Sequence, residues 1–164
     1  MIEISARKII QTPVGQVAIS CTEDALAKID FLNEEHHLTD FSNSKKAEAI
    51  ADKTATKLLK YFAGEETAFD VPVTFEGTEF QESVWRQIAA IPFGSTLSYG
   101  DIAKAIGKPK ASRAVGGAVG ANPIPIIIGC HRVMGATGKL TGYSGGEGIE
   151  TKVQLLELEG IAHR

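Results

Sequence analysis

The spacing of apolar residues changes within the first 64 residues of the chain, from a pattern typical of strands to one typical of a helix. Apolar residues concentrate in short segments typical of β-strands, with a TPVG turn sequence between the first two. The predicted strands are 2–10, 16–21 and 25–32. From Ala47 onward the apolar positions change to helical spacing, and Gly64 then provides a stop signal. The pattern predicts a small antiparallel sheet covered on one side by a helix.

The second half of the chain is predicted to be mostly helical. The sequences TxxQ at 78–81 and SxxD at 98–101 each match a capping box, in which the first residues of a helix satisfy one another's hydrogen bonds. A further helix is predicted from Ala111, after a glycine and a proline close the preceding one. Two short helices joined by a tight turn that contains glycine are typical of a helix-turn-helix.

A connecting segment lies between these two patterns. Residues 65–77 contain Pro72 and scattered acidic residues, and they place a domain boundary near Glu76. The sequence therefore predicts two domains, 1–76 and 77–164. The expected fold class is mixed α/β of the α+β type.

Composition limits the class of protein. A chain of 164 residues with 43% hydrophobic content can bury one sizeable core or two small ones. No segment contains the roughly 20 consecutive apolar residues of a membrane helix, and the N-terminal sequence lacks the features of a signal peptide. We therefore expect a cytoplasmic protein without a membrane partner. Cys21 and Cys130 are too few for a disulfide framework or a four-cysteine zinc site, so no metal is expected.

Charge is distributed unevenly. The net charge of −3 is a mild argument against nucleic acid as a partner. Residues 99–140, however, contain six basic residues against Asp101 alone, a local charge of +5. Such a segment either contacts DNA locally or forms a solvated face, and charge alone does not distinguish the two.

The helix predicted from Ala111 has two contrasting faces. The first is small and apolar and comprises Ala111, Ala114, Val115, Ala118 and Val119. The second carries Arg113, Gly116, Gly117 and Gly120. Each interior glycine costs a helix about 1 kcal/mol relative to alanine, so a glycine face indicates close approach of either a neighbouring helix or DNA. Arg113 favours DNA, because a guanidinium can contact phosphates or fill a gap in a base stack, whereas in a core it needs a partner.

A candidate nucleophile follows a proline-rich segment. Pro123 and Pro125 predict an extended, buried arm over 122–128, which delivers Cys130 and His131 in a turn. Direct contact between these two side chains would need a bend or a bridging water. Most isolated cysteines are small buried hydrophobes, but the neighbouring His131 and Arg132 favour a reactive thiolate. Cys21, in a predicted strand, is interpreted as a structural residue.

The end of the chain supplies a candidate acid. Glu159 shares the inward side of the last predicted helix with Leu155 and Leu156, and a carboxylate there opposes the helix dipole. It is either exposed or bound to a cation or donor. His131 is one candidate partner, which would give a nucleophile, a base and an orienting acid. The glycine-rich loop 138–146 forms either a pocket wall or a surface connection.

Taken together, these motifs resemble the O6-alkylguanine-DNA alkyltransferases, also called methylated-DNA-protein-cysteine methyltransferases. The matching segments, in order, are FQxxVW at 80–85, IPFG at 91–94, SY at 98–99, RAVGGA at 113–118, NPxP at 122–125, CHRV at 130–133, GYSGG at 142–146 and LLxxEG at 155–160. The resemblance covers nearly all of the C-terminal half. It implies a ribonuclease H-like domain over 1–76 and a helical DNA-binding and alkyl-transfer domain, with a helix-turn-helix, over 77–164.

The resemblance also implies the reaction. An alkyl group moves irreversibly from O6-alkylguanine in double-stranded DNA to Cys130, and O4-alkylthymine is a further expected substrate. The protein is expected to act once, as a monomer, in the minor groove and on a flipped base. No cofactor is expected, because the damaged DNA is itself the alkyl donor.

Roles for individual residues follow from the matched motifs. Cys130 matches the acceptor, His131 its water-mediated base and Glu159 the acid that orients the histidine. Asn122 matches the hinge residue beside the nucleophile, Tyr99 the residue beside the flipped nucleotide, and Arg113 the arginine that replaces the flipped base. The expected DNA contacts are Tyr99, Ala111, Ser112, Arg113, Gly116 and Gly117. The expected substrate pocket comprises Val133, Tyr143, Ser144 and Gly145.

One position departs from the family pattern. Gly129 stands where the family commonly has proline, and it is expected to loosen the turn and to affect rate or substrate range. Two other functions compete with alkyl transfer. An alkyltransferase-like protein binds lesions without repairing them, but such proteins replace the nucleophile, and Cys130 is present here. A helix-turn-helix regulator would leave Cys130, His131 and Glu159 unexplained.

Overall fold

The computed structural model describes residues 2–33, 38–65, 68–143, 145–146 and 148–163. Contacts between Cα atoms divide the chain into two compact units, Met1–Glu76 and Gly77–Arg164. Strands dominate the first unit and helices the second, which confirms the mixed α/β fold class. No helix within the described residues combines the length and the apolar character needed to cross a membrane.

The first unit contains a four-stranded antiparallel sheet. Its strands are β1 (Ala6–Thr12), β2 (Gly15–Cys21), β3 (Leu26–Phe31) and β4 (Phe41–Ser42), in the order β3-β2-β1-β4. Gly15 has φ of 102° at the β1–β2 turn, a conformation that favours glycine. The three predicted strands are confirmed, although β1 begins four residues later than expected. β4 was not predicted, because two residues are too few to show alternation.

One helix covers this sheet. α1 (Lys45–Phe62) packs against β1 and β2, and the Ser44 hydroxyl caps it by accepting a hydrogen bond from the Ala47 N–H at 3.2 Å. Three alanines and a leucine at helical spacing, Ala47, Ala51, Ala55 and Leu58, are buried and let the helix approach the sheet closely. Leu59, an apolar residue in the segment predicted to be helical, is 47% exposed and lies outside this stripe.

The described residues of the second unit form four α-helices, two very short strands and two 3₁₀ helices, Cys130–Arg132 and Ala136–Gly138. In chain order the α-helices and strands are α2 (Glu79–Ala89), β5 (Leu97–Ser98), α3 (Tyr99–Ala105), α4 (Ser112–Gly120), β6 (Val133–Met134) and α5 (Ile149–Leu158). Both predicted capping boxes are present, at the first turns of α2 and α3. β5 pairs in parallel with β6, with Leu97 opposite Val133. This pairing brings the beginning of α3 next to the segment that follows Cys130.

Helix α4 packs against both α2 and α3. The Trp85 indole N–H donates a hydrogen bond of 2.8 Å to the Ala118 carbonyl, which anchors α4 to α2. Val115, Ala118 and Val119 are buried as predicted, but Ala114 is exposed. Ala114 lies at the edge of the apolar stripe, on the side that turns toward Gly117, so its predicted burial was wrong.

The segment 122–128 is a compact turn and not the predicted extended arm. The Ile128 N–H donates to the Ile124 carbonyl at 2.8 Å, and the Ile124 N–H donates to the Asn122 side-chain oxygen at 3.0 Å. Ile126 has φ of 74°, a left-handed conformation that costs a β-branched residue about 1–3 kcal/mol. Proline restricts only itself and the residue before it. Burial of Ile124, Ile126 and Ile128, which was predicted, determines the rest of the path.

Candidate active site

Cys130 lies at the start of a 3₁₀ helix, Cys130–Arg132, directly after the buried turn. Its N–H donates to the Ile128 carbonyl at 2.7 Å, and the residue is 5% exposed. Cys130 contributes to the wall of a cavity of about 300 Å³ in the second unit. The other lining residues are Tyr99, Gly116, Val119, Gly120, Gly142 and Tyr143. A thiol, two phenols and the glycine face of α4 therefore meet at one cavity.

The resting thiol of Cys130 is protonated. Burial raises its pKa above the ordinary value, and hydrogen bonds with Asn122 and Tyr143 together with the charge of Lys152 offset only part of that effect. The expectation that neighbouring cations favour a thiolate was therefore wrong for the resting protein. Arg132 does not supply its charge to the thiol, because its guanidinium is bound to Glu159. Cys130 consequently needs a base to become a nucleophile.

Glu159 is buried at the C-terminal end of α5 and is surrounded by donors. His131 Nε2 bonds to its Oε2, and Arg132 donates to both carboxylate oxygens at 2.8 and 3.1 Å. The Gly94 N–H donates to Oε1 at 2.9 Å. Burial by itself raises the pKa of Glu159, but the hydrogen bonds from His131 and Arg132 outweigh it and lower the pKa to about 2. The predicted His131 contact is present, and the exposed alternative is excluded.

The ionised carboxylate determines which nitrogen of His131 carries a proton. Burial lowers the pKa of His131, and Glu159 offsets this only in part, so the ring is neutral near pH 7. A carboxylate only accepts hydrogen bonds, so the proton lies on Nε2 and the lone pair lies on Nδ1. Nδ1 is buried and bonds to no other residue in the described part of the chain. It is the atom of this ring that is able to accept a proton.

Sequence reasoning missed the structural role of Arg132. Its Nη1 donates to the Ile91 carbonyl at 2.8 Å, while the rest of the guanidinium holds Glu159. Charge balance was the available signal: a carboxylate expected to face inward requires a nearby cation. Arg132 was instead assigned to the thiol because it is close to Cys130 in sequence.

Gly129 leaves room for the Arg132 side chain. Its φ of −71° is accessible to any residue, so the turn does not require glycine for its backbone conformation. A Cβ atom at position 129 would lie 2.9 Å from Arg132 Nη1 and 3.1 Å from its Cδ. The glycine therefore makes space for a fixed guanidinium. The sequence had instead predicted that glycine at this position loosens the backbone of the turn.

Asn122 connects the buried turn to the nucleophile. Its side-chain nitrogen donates to the Ile128 carbonyl at 2.7 Å, and its side chain also forms a hydrogen bond with the thiol of Cys130. Together with the Ile124 contact, these bonds hold both ends of the turn in one geometry. The predicted position of Asn122 beside Cys130 is what the structure shows.

The predicted DNA-contacting residues all belong to the second unit, where they lie at the start of α3, in α4 and at the residue before α4. Ser112, Arg113 and Gly117 are exposed, whereas Ala111, Gly116 and Tyr99 are half-buried. A Cβ atom on Gly117 would meet open space, and one on Gly116 would lie 3.9 Å from the Tyr99 ring. Among the described residues, nothing lies within 4 Å of a Cβ atom placed on Gly117 or Gly120, so packing of a neighbouring helix does not explain these two glycines, whereas Gly116 faces Tyr99 of α3.

The predicted substrate pocket is only partly assembled around the cavity. Tyr143 lines it, and Gly142, which was not predicted, does too. Val133 is fully buried in β6, and neither Val133 nor Gly145 is among the lining residues. Ser144 lies outside the described residues. The pocket-wall interpretation of the glycine-rich loop thus applies to residues 142 and 143.

Sequence reasoning also missed Lys152. This lysine is 1% exposed, and its ammonium donates to the Val133 carbonyl at 2.8 Å and to the Thr141 hydroxyl at 3.0 Å. Burial lowers its pKa to about 8. The signal was present, since Lys152 precedes Leu155, Leu156 and Glu159 by three, four and seven residues and so shares their inward side.

Comparison with known proteins gives consistent matches over almost the whole chain. Residues 6–75 match the model of the 6-O-methylguanine DNA methyltransferase ribonuclease-like domain, and residues 79–161 match that of the DNA binding domain. The methylated-DNA–protein-cysteine methyltransferase of Methanosarcina acetivorans is 45% identical, over 93% of this chain and 96% of the relative.

Solved structures agree. A crystal structure of the Mycobacterium tuberculosis O6-methylguanine methyltransferase superposes with a TM-score of 0.82 at 41% identity, covering 96% of this chain and 93% of that one. The structure of Mycobacterium tuberculosis OGT in complex with DNA gives 0.81 at 44% identity, covering 93% and 91%. With both family models and close relatives matched in this way, the chain belongs to the methylated-DNA–protein-cysteine methyltransferase family.

Proposed function

We propose that this protein repairs DNA by transferring the alkyl group of O6-alkylguanine irreversibly to Cys130. The observation that carries the proposal is the placement of Cys130 in the wall of a cavity, directly before a buried His131–Glu159 pair. Cys21, the other cysteine, is fully buried in β2. The matched relatives are named for methylated DNA and a protein cysteine, which agrees with this chemistry.

The arrangement supports a displacement at the alkyl carbon. The thiol proton passes to Nδ1 of His131, and a bridging water carries it when the sulfur and this nitrogen are not in contact. Glu159 stabilises the imidazolium that forms. The sulfur then forms a bond to the alkyl carbon while the carbon–oxygen bond breaks, and its electron pair leaves with the purine. The product is a thioether, which no side chain in the cavity wall could cleave. One molecule of protein therefore repairs one lesion.

The exposed face of α4 is the proposed DNA-binding surface. A face of glycines admits the close approach of a duplex, and Arg113 projects from its first turn, where it is placed to replace a flipped base. Tyr99, Ala111, Ser112, Gly116 and Gly117 complete the proposed contact set. All of these residues and the cavity belong to the unit Gly77–Arg164, which supports action as a monomer.

Intact-protein mass measurement tests the transfer. The protein is incubated with a duplex that contains O6-methylguanine, and its peptides are then mapped. We expect a gain of one methyl group per protein, located on Cys130. Binding of the lesion without any mass gain would instead identify a recognition protein that does not repair. A duplex with O4-methylthymine measures the second expected substrate in the same assay.

Arg113→Ala is expected to slow repair of duplex DNA by about tenfold or more, because extrusion of a base costs a few kcal/mol that the arginine offsets by filling the gap. The measurement is the single-turnover rate on a duplex and on the same strand unpaired, where no extrusion is needed. Arg86→Ala, a charge removed from the exposed side of α2, is the matched control. Equal losses on both substrates would contradict the role in extrusion.

A further inference from the structure

Three polar side chains form a continuous hydrogen-bonded chain that ends at the cavity. The Lys152 ammonium donates to the Thr141 hydroxyl at 3.0 Å, and that hydroxyl bonds to the Tyr99 phenol oxygen at 2.7 Å. Lys152 is buried, and its second bond, to the Val133 carbonyl at 2.8 Å, fixes the ammonium at one end. Tyr99 lines the cavity beside Cys130 at the other end.

The chemistry of the three groups determines how this chain can be polarised. An ammonium has donors only, so the Thr141 oxygen accepts from Lys152. Thr141 has a single proton of its own, which can be directed at the Tyr99 oxygen. In that arrangement the phenol keeps its own proton for a partner in the cavity. Without the Thr141 hydroxyl, the phenol would lose the group that orients it and the ammonium would lose one of its acceptors.

We propose that Thr141 is a positioning residue for alkyl transfer: its hydroxyl connects Lys152 to Tyr99 and holds the Tyr99 phenol as the proton donor to the departing purine. This inference rests on the proposed function, because it assigns a role in the same reaction. It concerns the leaving group and not the nucleophile, which His131 and Glu159 serve.

The proton balance of the step is complete with groups that the structure contains. As the carbon–oxygen bond breaks, the purine takes up its electron pair and receives the phenol proton of Tyr99. The Thr141 proton moves to the Tyr99 oxygen, and an ammonium proton of Lys152 moves to Thr141. Lys152 ends as a neutral amine, while the thiol proton resides on His131. Exchange with solvent later restores both groups.

The electrostatics of Lys152 agree with this direction of transfer. Burial lowers its pKa to about 8, so the ammonium is populated at neutral pH and yet gives up a proton more readily than an exposed lysine. The charge of Lys152 also acts on Cys130, for which it favours the thiolate. Forming the thioether removes the negative charge of that thiolate. Lys152 therefore gives up its proton more easily as the reaction proceeds.

A pair of variants at one position tests the proposal. Thr141→Val removes the hydroxyl and keeps the shape, whereas Thr141→Ser keeps the hydroxyl and removes a methyl group. The first readout is the single-turnover rate of methyl transfer from an O6-methylguanine duplex at saturating protein. The second is the rate at which iodoacetamide alkylates Cys130, a reaction whose leaving group, iodide, needs no proton. Thermal unfolding monitors the fold of each variant.

We expect Thr141→Val to slow methyl transfer by about tenfold or more, at the low end of the range for general acid catalysis, with the iodoacetamide rate unchanged. Thr141→Ser should recover to within about threefold of the wild-type rate. Methyl transfer by Thr141→Val at the wild-type rate would overturn the proposal, and so would equal slowing of both reactions, which indicates a structural role. Failure of the wild-type protein to transfer methyl would instead refute the proposed function.

Discussion

Cys130→Ala should abolish alkyl transfer and leave DNA binding intact. The sulfur of Cys130 is the strongest nucleophile among the residues that line the described cavity, since the others are two tyrosines, a valine and three glycines. Alanine fills nearly the same space, so the surrounding Asn122 and Ile128 contacts should persist. Intact mass after incubation with an O6-methylguanine duplex measures transfer, and fluorescence anisotropy of labelled DNA measures binding.

Cys21→Ala is the matched control for this experiment. Cys21 is also fully buried, and burial raises its pKa to about 12, but it lies in the sheet of the first unit. Its removal should leave the stoichiometry at one methyl group per protein. If Cys130→Ala still gained a methyl group, the acceptor would have to be sought elsewhere. If it lost DNA binding as well, the thiol would have a structural role in the DNA-binding unit.

Glu159→Gln should both slow alkyl transfer, by about a hundredfold, and destabilise the protein. The glutamine amide has nearly the same shape but no charge, and its NH₂ group would face the donors of Arg132 or His131. Removing one partner of a buried ion pair typically costs about 3–5 kcal/mol, because the other charge stays buried. His131 would also lose the acceptor that keeps its proton on Nε2. Single-turnover kinetics and urea unfolding measure the two effects.

Glu157→Gln provides the matched control. Glu157 belongs to the same helix, but its side chain is 68% exposed and lies 3.9 Å from His163, so its replacement should change neither quantity appreciably. If Glu159→Gln kept the stability of the wild type but lost most of its transfer rate, Glu159 would act on the histidine alone. A wild-type rate would refute the role of Glu159 in orienting His131.

The Glu159–His131 pair predicts how the free energy of unfolding depends on pH. The folded-state pKa of Glu159 is lowered to about 2 from 4.5, so its stabilising contribution is present above pH 4.5 and is lost as pH decreases toward 2. The lowered pKa of His131 acts in the same direction, beginning as pH decreases through 6.5, where the unfolded chain gains a proton first. Urea unfolding should therefore show steep loss of stability below pH 4.5, and a weaker loss in Glu159→Gln. Equal slopes would contradict the ionised state of Glu159.

Much of the local structure could be predicted because its causes are local. The two capping boxes join residues three apart, so TxxQ and SxxD determine the starts of α2 and α3 with no knowledge of the rest of the fold. Helical spacing alone separates Arg113 and its glycines from the buried Val115 and Ala118, and three of these four residues are exposed while Gly116 is half-buried.

The two errors about the segment that carries the nucleophile share one physical origin, which is burial. Residues 122–128 were expected to be extended because of two prolines, but burial of three isoleucines folds them into a turn and holds Ile126 in a left-handed conformation. The sequence neighbours of Cys130 were expected to favour a thiolate. Desolvation, which depends on the whole surrounding structure, raises its pKa instead.

By itself, then, the sequence determined most of the helices and strands and the family, and it predicted two domains and Cys130 as the nucleophile, all of which depend on residue type at short spacing. Only the tertiary structure decided which partners complete the site. Arg132 meets Glu159 across 27 residues of sequence, and Tyr99 meets Thr141 across 42. No periodic pattern encodes such pairs, because each forms only when separate helices and loops pack together and a buried charge or hydroxyl must find the partner that is then within reach.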